Sequence, residues 1–328
     1  MDVSVIMINY NTFSLTKDAL DCIFRETKGI DYEVILIDNA SPDGSGDQLS
    51  ALYGNKIVYL QSGGNLGTSK AFNIALKHAS GKYVLWLNTD ILLKENFIKK
   101  LFDYMESDPN CGICGGNLFN GRGEPTLSYD KELLTGRVAM YNVRTIVVLF
   151  RALFKKQISN HFNYTSRPMR VGGIIGADLM VRRDCFDRVG SFNENIFMYG
   201  EETDFTYRVT HETNYTVVSV PDAHMTHLEG GGVSQNDSFN ERKETIVLTG
   251  ISTYLKNCLG KEDVFLYVKA RYIAAKKRRF FYSLLGYREK KEVFAQKEAF
   301  FRRHLAEFDT FYSSLPGQEG TQKKGEHK

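Results

Sequence analysis

Three groups of side chains in this 328-residue sequence have types and spacings that chemistry could use. The first is Asn88-Thr89-Asp90, which interrupts the apolar stretch from Tyr83 to Leu92. An apolar, β-branched and aromatic run reads as a buried strand, and open α/β sheets bind ligands beyond the carboxyl ends of their strands. A carboxylate at that point can hold a metal or a polar ligand. Alternatively, Asp90 caps a helix beginning near Lys94 within a solvated turn. Asp38 is a second carboxylate at a strand end, following Glu33 to Ile37 and opening a turn-rich stretch. The second group is Glu201, Glu202 and Asp204, crowded at one helix start. The helix dipole there favours one or two acids, whereas three repel one another unless a cation or a shared proton engages them. The third is the histidine pair of Pro221-Asp222-Ala223-His224-Met225-Thr226-His227, followed by Glu229 and Gly230 to Gly232. A lone histidine is more often structural than a ligand, but one followed by flexible glycines near an acidic site suits a metal.

The elements that must position these groups alternate between strand and helix. Val3 to Ile8 is a continuous apolar run that ends in Asn9, Tyr10 and Asn11. A helical pattern from Ser14 to about Thr27 leads to the strand Glu33 to Ile37, giving a βαβ unit and hence a parallel sheet. A short strand, Ile57 to Leu60, feeds Gln61-Ser62-Gly63-Gly64-Asn65-Leu66-Gly67, whose glycines permit tight turns and close backbone approach at the start of a helix over about Thr68 to Ala79. Asn65 and Asn73 could hydrogen-bond a ligand; equally, Asn65 steadies the turn and Asn73 lies on a solvated face. The loop matches neither the dinucleotide nor the phosphate-loop glycine pattern, which argues against a nicotinamide enzyme or a nucleotide triphosphatase. A surface helix over Glu95 to Ser107 and strands over Gly112 to Phe119, Ile174 to Val181 and about Thr216 to Val220 follow. The last third is helical, with Phe301, Leu305, Phe308 and Tyr312 on one stripe.

An apolar content of 42% and a charged content of 25% are ordinary for a globular protein. The net charge of +3 is unevenly spread, because Lys269 to Arg303 holds twelve Lys and Arg against three Glu, which points to an anionic partner. Lys131 to Arg170 has eight basic residues and one acid among many apolar ones. Such a segment can lie in a membrane interface, or pack on the core and show its basic side to water. Near Arg278 and Arg279, the aromatic residues Phe280 to Tyr282 complete a patch that anionic lipid or nucleic acid could use; with no nucleic-acid motif beside it, lipid is preferred, and a plain solvated helix is the alternative. Five cysteines without framework spacing, including the lone pair Cys111 and Cys114, read as core thiols. No signal peptide and no membrane-length apolar stretch is read, so a cytoplasmic protein is expected, free or held peripherally on the inner face of the cell membrane.

Six segments, VSVIMINYN, VILIDNAS, GGNLGTSKAFNIAL, WLNTDILL, GADLMVRRDCFDRVGSFNENIFMYGEETDFTYR and the histidine of HLEGGG, stand in one order over residues 2–234. Together they resemble the family-2 glycosyltransferases of the GT-A fold, especially their rhamnosyltransferase-like branch. The resemblance implies an α/β fold with an open, mostly parallel central sheet, helices on both faces and a helical C-terminal extension. It divides the chain into a catalytic domain over 1–235, with a nucleotide-sugar half (1–120), the basic-apolar insertion (130–170) and a catalytic half (171–235). An extension over 236–315 and a disordered tail over 316–328 follow. Asn9, Tyr10, Asp38, Asn65, Gly67, Asn73, Asn88 and Asp90 then match donor-binding positions, with Asp38 on the base and Asn88 on the sugar or ribose. Asp90 matches the ligand of Mg²⁺ or Mn²⁺, and His227 the residue that completes the metal shell, with His224 as its rival. The catalytic base falls among Glu201, Glu202 and Asp204, Glu202 first, while Asp204 and Arg208 flank the motif.

The implied reaction is inverting transfer from a nucleoside-diphosphate sugar, of dTDP-rhamnose or UDP-hexose type, to a glycan or polyprenyl-diphosphate-linked hydroxyl. An anionic membrane surface is a further expected partner and nucleic acid is not. A sugar nucleotidyltransferase and a non-catalytic sugar-nucleotide-binding protein are the rival readings.

Overall fold

The computed structural model describes residues 1–144, 161–228 and 238–317. Part of the expected basic-apolar insertion (145–160), the glycines after His227 and the tail from 318 onward lie outside the described residues. In chain order the elements are β1 (Val3–Asn9), α1 (Phe13–Glu26), β2 (Tyr32–Asp38), α2 (Ser45–Tyr53), β3 (Val58–Gln61), α3 (Gly67–Leu76), β4 (Tyr83–Leu87), β5 (Ile91–Leu92), α4 (Phe97–Ser107), β6 (Cys111–Phe119) and β7 (Tyr129–Asp130). Then come α5 (Gly136–Arg144), β8 (Met169–Arg170), β9 (Gly173–Ile174), β10 (Asp178–Arg182), α6 (Arg183–Val189), α7 (Glu201–Glu212), β11 (Thr216–His227), α8 (Glu241–Cys258), α9 (Lys261–Leu284), α10 (Arg288–Ala306) and α11 (Phe308–Ser314).

One sheet runs in the order β3-β2-β1-β4-β10-β6-β11-β5, with β8 also pairing β11. Strands β3, β2, β1 and β4 are mutually parallel. The near-continuous apolar sequences of β1, β2 and β4 follow from burial on both faces, while β3 at the sheet edge is partly exposed. Because β2 and β3 lie on one side of β1 and β4 on the other, the strand order reverses between β1 and β4, which opens a crevice at their carboxyl ends. Beyond β4 the sheet is mixed: β10 is antiparallel to both β4 and β6, and β11 is parallel to β6 and antiparallel to β5. The parallel arrangement therefore holds for the N-terminal half and gives way where the short returning strands enter.

Helices cover both faces. On one, Leu20 and Ile23 of α1 and Phe97, Ile98 and Leu101 of α4 pack with Val5, Met7, Leu85 and Leu87. On the other, Phe72 of α3, Phe186 of α6 and Phe205 of α7 surround Trp86 and Phe192. Phe72 stacks on Phe192 at 4.2 Å and Phe186 on Phe205 at 4.7 Å. Each such buried ring contributes about 1.5–3 kcal/mol by leaving water, so α7 is held against the sheet by its aromatic face.

Two expected strands have different extents. The run from Ile174 to Val181 is broken into β9, which pairs with β7 in a separate two-stranded sheet, and β10, which pairs with β4 and β6; between them Gly176 lies where a Cβ would stand 2.9 Å from the Trp86 indole. The strand expected to end at Val220 continues to His227, passing Pro221 at an irregularity where the register with β6 shifts between Ser219 and His224. Proline lacks the ladder N–H and is tolerated at such a bulge.

The described residues form two compact units. All the strands belong to the first, which comprises 1–134, 161–193 and 201–228. The second comprises 135–144, 194–200 and 238–317. Within it α5, from the expected insertion, packs Met140 and Val143 on Ala270 of α9, and Gly136 N donates to Asp263 Oδ1 at 2.9 Å. Asn240 caps α8 by accepting from Lys243 N. No described helix is long and apolar enough to cross a membrane.

Candidate active site

The ends of β1 and β2 are stitched together by polar side chains. The register sets Asn9 opposite Asp38, and Asn9 Nδ2 donates to Asp38 Oδ1 at 2.7 Å and to Ser45 Oγ at 2.9 Å. Asp38 also accepts from Ser41 Oγ, Ser41 N and the Gln61 amide. It is 1% exposed, and a Cβ at Gly46 would fall 2.3 Å from its Cγ. Direct contact with a base would require exchange of one of these bonds. Asn39, which sequence reasoning passed over, grips the glycine loop: its Nδ2 donates to Asn65 Oδ1 and Gly67 O, and its Oδ1 accepts from Leu66 N. The Asp-Asn dipeptide at the strand end was the available signal. Gly67, at φ 78°, takes the left-handed turn that lets α3 start there. Tyr10 stands exposed just past β1.

Asn73, one of the expected donor-binding residues, has its amide engaged within the protein. It is buried, its Nδ2 donates to Phe192 O at 2.8 Å, and its Oδ1 accepts from Phe192 N at 3.1 Å. These bonds make it the clasp that fastens α3 to the loop ahead of α7.

Asp90 and His227, 137 positions apart in the chain, meet at the end of β4. Antiparallel pairing of β5 with β11 sets His227 opposite Ile91, and Leu228 N donates to Asp90 O at 2.8 Å. His227 Nε2 then lies 3.2 Å from Asp90 Oδ1 and 3.4 Å from Asn88 Nδ2. His224, three residues earlier on a period-two strand, faces the other way; its Nδ1 is 3.6 Å from Glu95 Oε1. Between the two histidines, the geometry selects His227 as the neighbour of Asp90. Thr12 Oγ1 joins this group to the first, lying 2.9 Å from Asn9 Oδ1 and 3.4 Å from Thr89 Oγ1. A carboxylate oxygen and an imidazole nitrogen converging at a partly open edge fit a divalent ion. No group of three or more His, Cys, Asp or Glu side chains able to hold a metal occurs among the described residues.

The three acids of α7 have different surroundings. Asp204 is fully buried and its Oδ2 accepts from Arg208 Nε at 2.9 Å and Nη2 at 2.8 Å, while Arg208 also reaches the carbonyls of Val189 and Ser191. The Asp204 carboxylate is thus held in a buried ion pair. Glu201 is also buried, at 3% exposure. Glu202 is half-buried, with Thr203 Oγ1 at 3.3 Å from its Oε1, and is the most accessible of the three.

A match to the family described as Glycosyl transferase family 2 spans residues 4–189, more than half of the chain. The chain belongs to glycosyl transferase family 2. Among relatives, the low-salt glycan biosynthesis hexosyltransferase Agl10 of Haloferax volcanii is 26% identical over 215 residues, 64% of this chain and 62% of that protein. The minor teichoic acid biosynthesis protein GgaB of Bacillus subtilis is 33% identical over 113 residues, 33% of this chain and 12% of that protein. The chain thus spans less than two thirds of the length of these curated relatives. The structure of Staphylococcus aureus TarS 1–349 with UDP-GlcNAc aligns at a TM-score of 0.53 and 16% identity over 92% of both chains. The Pyrobaculum calidifontis mannosyltransferase PcManGT, solved with GDP-Man and Mn²⁺, aligns at 0.54 and 15% over 95% of this chain and 87% of that one. At such identities the likeness speaks for the fold, which is GT-A.

Within that family fold, Asp178 is a buried acid that sequence reasoning left inside an apolar strand. It lies opposite Leu87 in the β4–β10 ladder, takes one hydrogen bond from Gly116 N at 2.6 Å, and burial pushes its pKa well above the ordinary carboxylate value.

Proposed function

We propose that the chain is an inverting glycosyltransferase that moves a sugar from a nucleoside-diphosphate sugar, of UDP-hexose or dTDP-rhamnose type, to a hydroxyl of a glycan or polyprenyl-diphosphate-linked acceptor in surface-polysaccharide assembly. The observation that carries this reading is the 3.2 Å approach of Asp90 and His227 at the crevice where β1 and β4 end. The names of the relatives agree with it, one being a hexosyltransferase of glycan biosynthesis and another a teichoic acid biosynthesis protein. So do the UDP-GlcNAc and GDP-Man held by the two solved structures.

In this reading Tyr10 offers its exposed ring to the base, and Asp38, Asn39, Asn65 and Gly67 shape the loop around the nucleotide. Asn88, a neutral acceptor and donor, hydrogen-bonds the sugar or ribose. Asp90 and His227 are the residues that would hold Mg²⁺ or Mn²⁺. The bound ion supplies charge neutralisation to the leaving group, which otherwise departs poorly. Glu202 accepts the proton of the acceptor hydroxyl as that oxygen attacks the anomeric carbon from the face opposite the diphosphate, so the configuration inverts. Glu202 is preferred to Glu201 because proton abstraction needs a carboxylate within hydrogen-bond reach of substrate, and Glu201 is the more buried. The reaction belongs on the cytoplasmic side, where nucleotide sugars are made.

The test is turnover with a panel of UDP-, dTDP- and GDP-sugars and a lipid-linked or soluble glycan acceptor, scored for released nucleoside diphosphate and for anomeric configuration. Release of nucleoside diphosphate with an inverted glycoside is expected, and Glu202→Gln should suppress it. Pyrophosphate formed from a nucleoside triphosphate and a sugar phosphate would instead mark a nucleotidyltransferase, and nucleotide binding without any turnover would mark a non-catalytic protein.

A further inference from the structure

The tip of the α9–α10 hairpin concentrates two features that soluble surfaces normally keep apart. Phe280, Leu284, Leu285 and Tyr287 are 64%, 67%, 47% and 56% exposed, although single exposed apolar residues are ordinary and contiguous ones are not. Around them, residues 276–291 hold seven Lys and Arg against one Glu. The hairpin itself is well built. Gly286, at φ 73°, reverses the chain, Tyr287 N donates to Tyr282 O at 3.1 Å, and Tyr282 stacks on Phe294 at 5.5 Å. The apolar tip is therefore held out by structure rather than left over from a frayed end.

The cations divide by partner. Arg271 and Lys297 meet Glu244, and Arg279 meets Glu298. Lys276, Arg278, Arg288, Lys290 and Lys291 have no carboxylate within ion-pair distance among the described residues. Ile273, Lys276, Lys277 and Phe280 follow the i, i+3, i+4, i+7 spacing of one helix face, and with Lys291 they line a cleft of about 770 Å³. The lining mixes apolar and cationic side chains, and of its lysines Lys277 donates to Val143 O.

We propose that this hairpin tip docks the protein on an anionic phospholipid bilayer, with Phe280, Leu284, Leu285 and Tyr287 entering the interface and Lys276 and Lys291 receiving headgroup phosphates. Long cationic side chains flanking an apolar wedge are the composition that interfacial helices use, and each cation near an anionic leaflet adds attraction. A second copy of the chain is disfavoured because a self-complementary contact would set this cationic patch near its own image. Nucleic acid is disfavoured because, although Phe280 and Tyr287 are rings a base could stack on, Leu284 and Leu285 expose aliphatic surface between them that a base would leave in contact with water. The inference rests on the proposed function only in that a lipid-linked acceptor gives the docking a purpose.

The experiment is co-sedimentation of the full chain with vesicles of phosphatidylcholine alone and of phosphatidylcholine mixed with phosphatidylglycerol, with and without high salt. Sedimentation with the mixed vesicles alone, reversed by salt, is expected. Two double variants of exposed side chains, Lys276→Glu with Lys291→Glu and Leu284→Ser with Leu285→Ser, should each bind the mixed vesicles about 30-fold more weakly or worse while keeping the wild-type melting curve. Nucleoside diphosphate titration of the same preparation without vesicles reads the donor site separately, so a failed donor reading does not disguise itself as failed docking. Absence of binding to mixed vesicles, equal binding to both vesicle types, or wild-type binding by both variants would overturn the proposal. So would a dimer that the Leu284 and Leu285 changes dissociate, or oligonucleotide capture lost in these variants without any vesicle binding.

Discussion

Glu202 and Asp204 are two residues apart on one helix turn, yet one is half-buried and the other sealed in the core. Asp204 is buried against Arg208 at 2.8–2.9 Å, and removing one partner of a buried pair leaves an uncompensated charge. Asp204→Asn should therefore lower stability by about 3–5 kcal/mol, visible as a lower denaturation midpoint; an unchanged midpoint would show that the pair is not structural. Glu202→Gln should leave the midpoint alone and reduce kcat by about 10²–10⁴-fold, the usual contribution of a general base. If turnover survives in Glu202→Gln and fails in Glu201→Gln, the base is the buried neighbour. Carboxylates and the paired histidines stood out in the sequence because few residue types bind metals or carry protons. What those residues touch did not, since Arg208, Phe192 and Ser41 acquire their roles only when the chain folds.

At the scale of elements, the short pairing of β5 with β11 matters most, and it was the least legible part. A two-residue strand has no periodicity to read, and Pro221 suggested an end to β11 where the chain instead bulges and continues to His227. The parallel half was readable for the opposite reason: β1, β2 and β4 are apolar runs closed by polar residues, and α1 after β1 and α3 after β3 carry helical spacing. The tight fit beneath the nucleotide loop was visible only as one glycine among many. Gly46 faces the Asp38 carboxyl at a distance that no Cβ can share, so Gly46→Ala should cost about 1–3 kcal/mol and weaken nucleotide binding while Asp90 and His227 keep their pairing. Wild-type stability and affinity in that variant would mean that α2 moves freely relative to β2.

Over the whole molecule, Asp178 makes stability depend on pH in an unusual direction. Burial raises its native pKa, so above the ordinary value of about 3.9 the native state keeps a proton that the unfolded chain has released. Its contribution to stability consequently falls as pH rises through that window. Asp178→Asn, which retains an acceptor for Gly116 N–H, should gain on wild type in melting temperature as the pH goes from about 4 to about 8; a constant or reversed difference would contradict a neutral buried acid. The central claim is that Asp90 and His227 form a metal-dependent diphosphate site in the folded chain. Calorimetric titration with UDP, dTDP, GDP and CDP, with and without Mn²⁺, tests it most directly, repeated with Asp90→Ala. Binding of one nucleotide that requires Mn²⁺ and vanishes in the variant is the expected result. Nucleotide binding that is indifferent to Mn²⁺ and to Asp90 would contradict it.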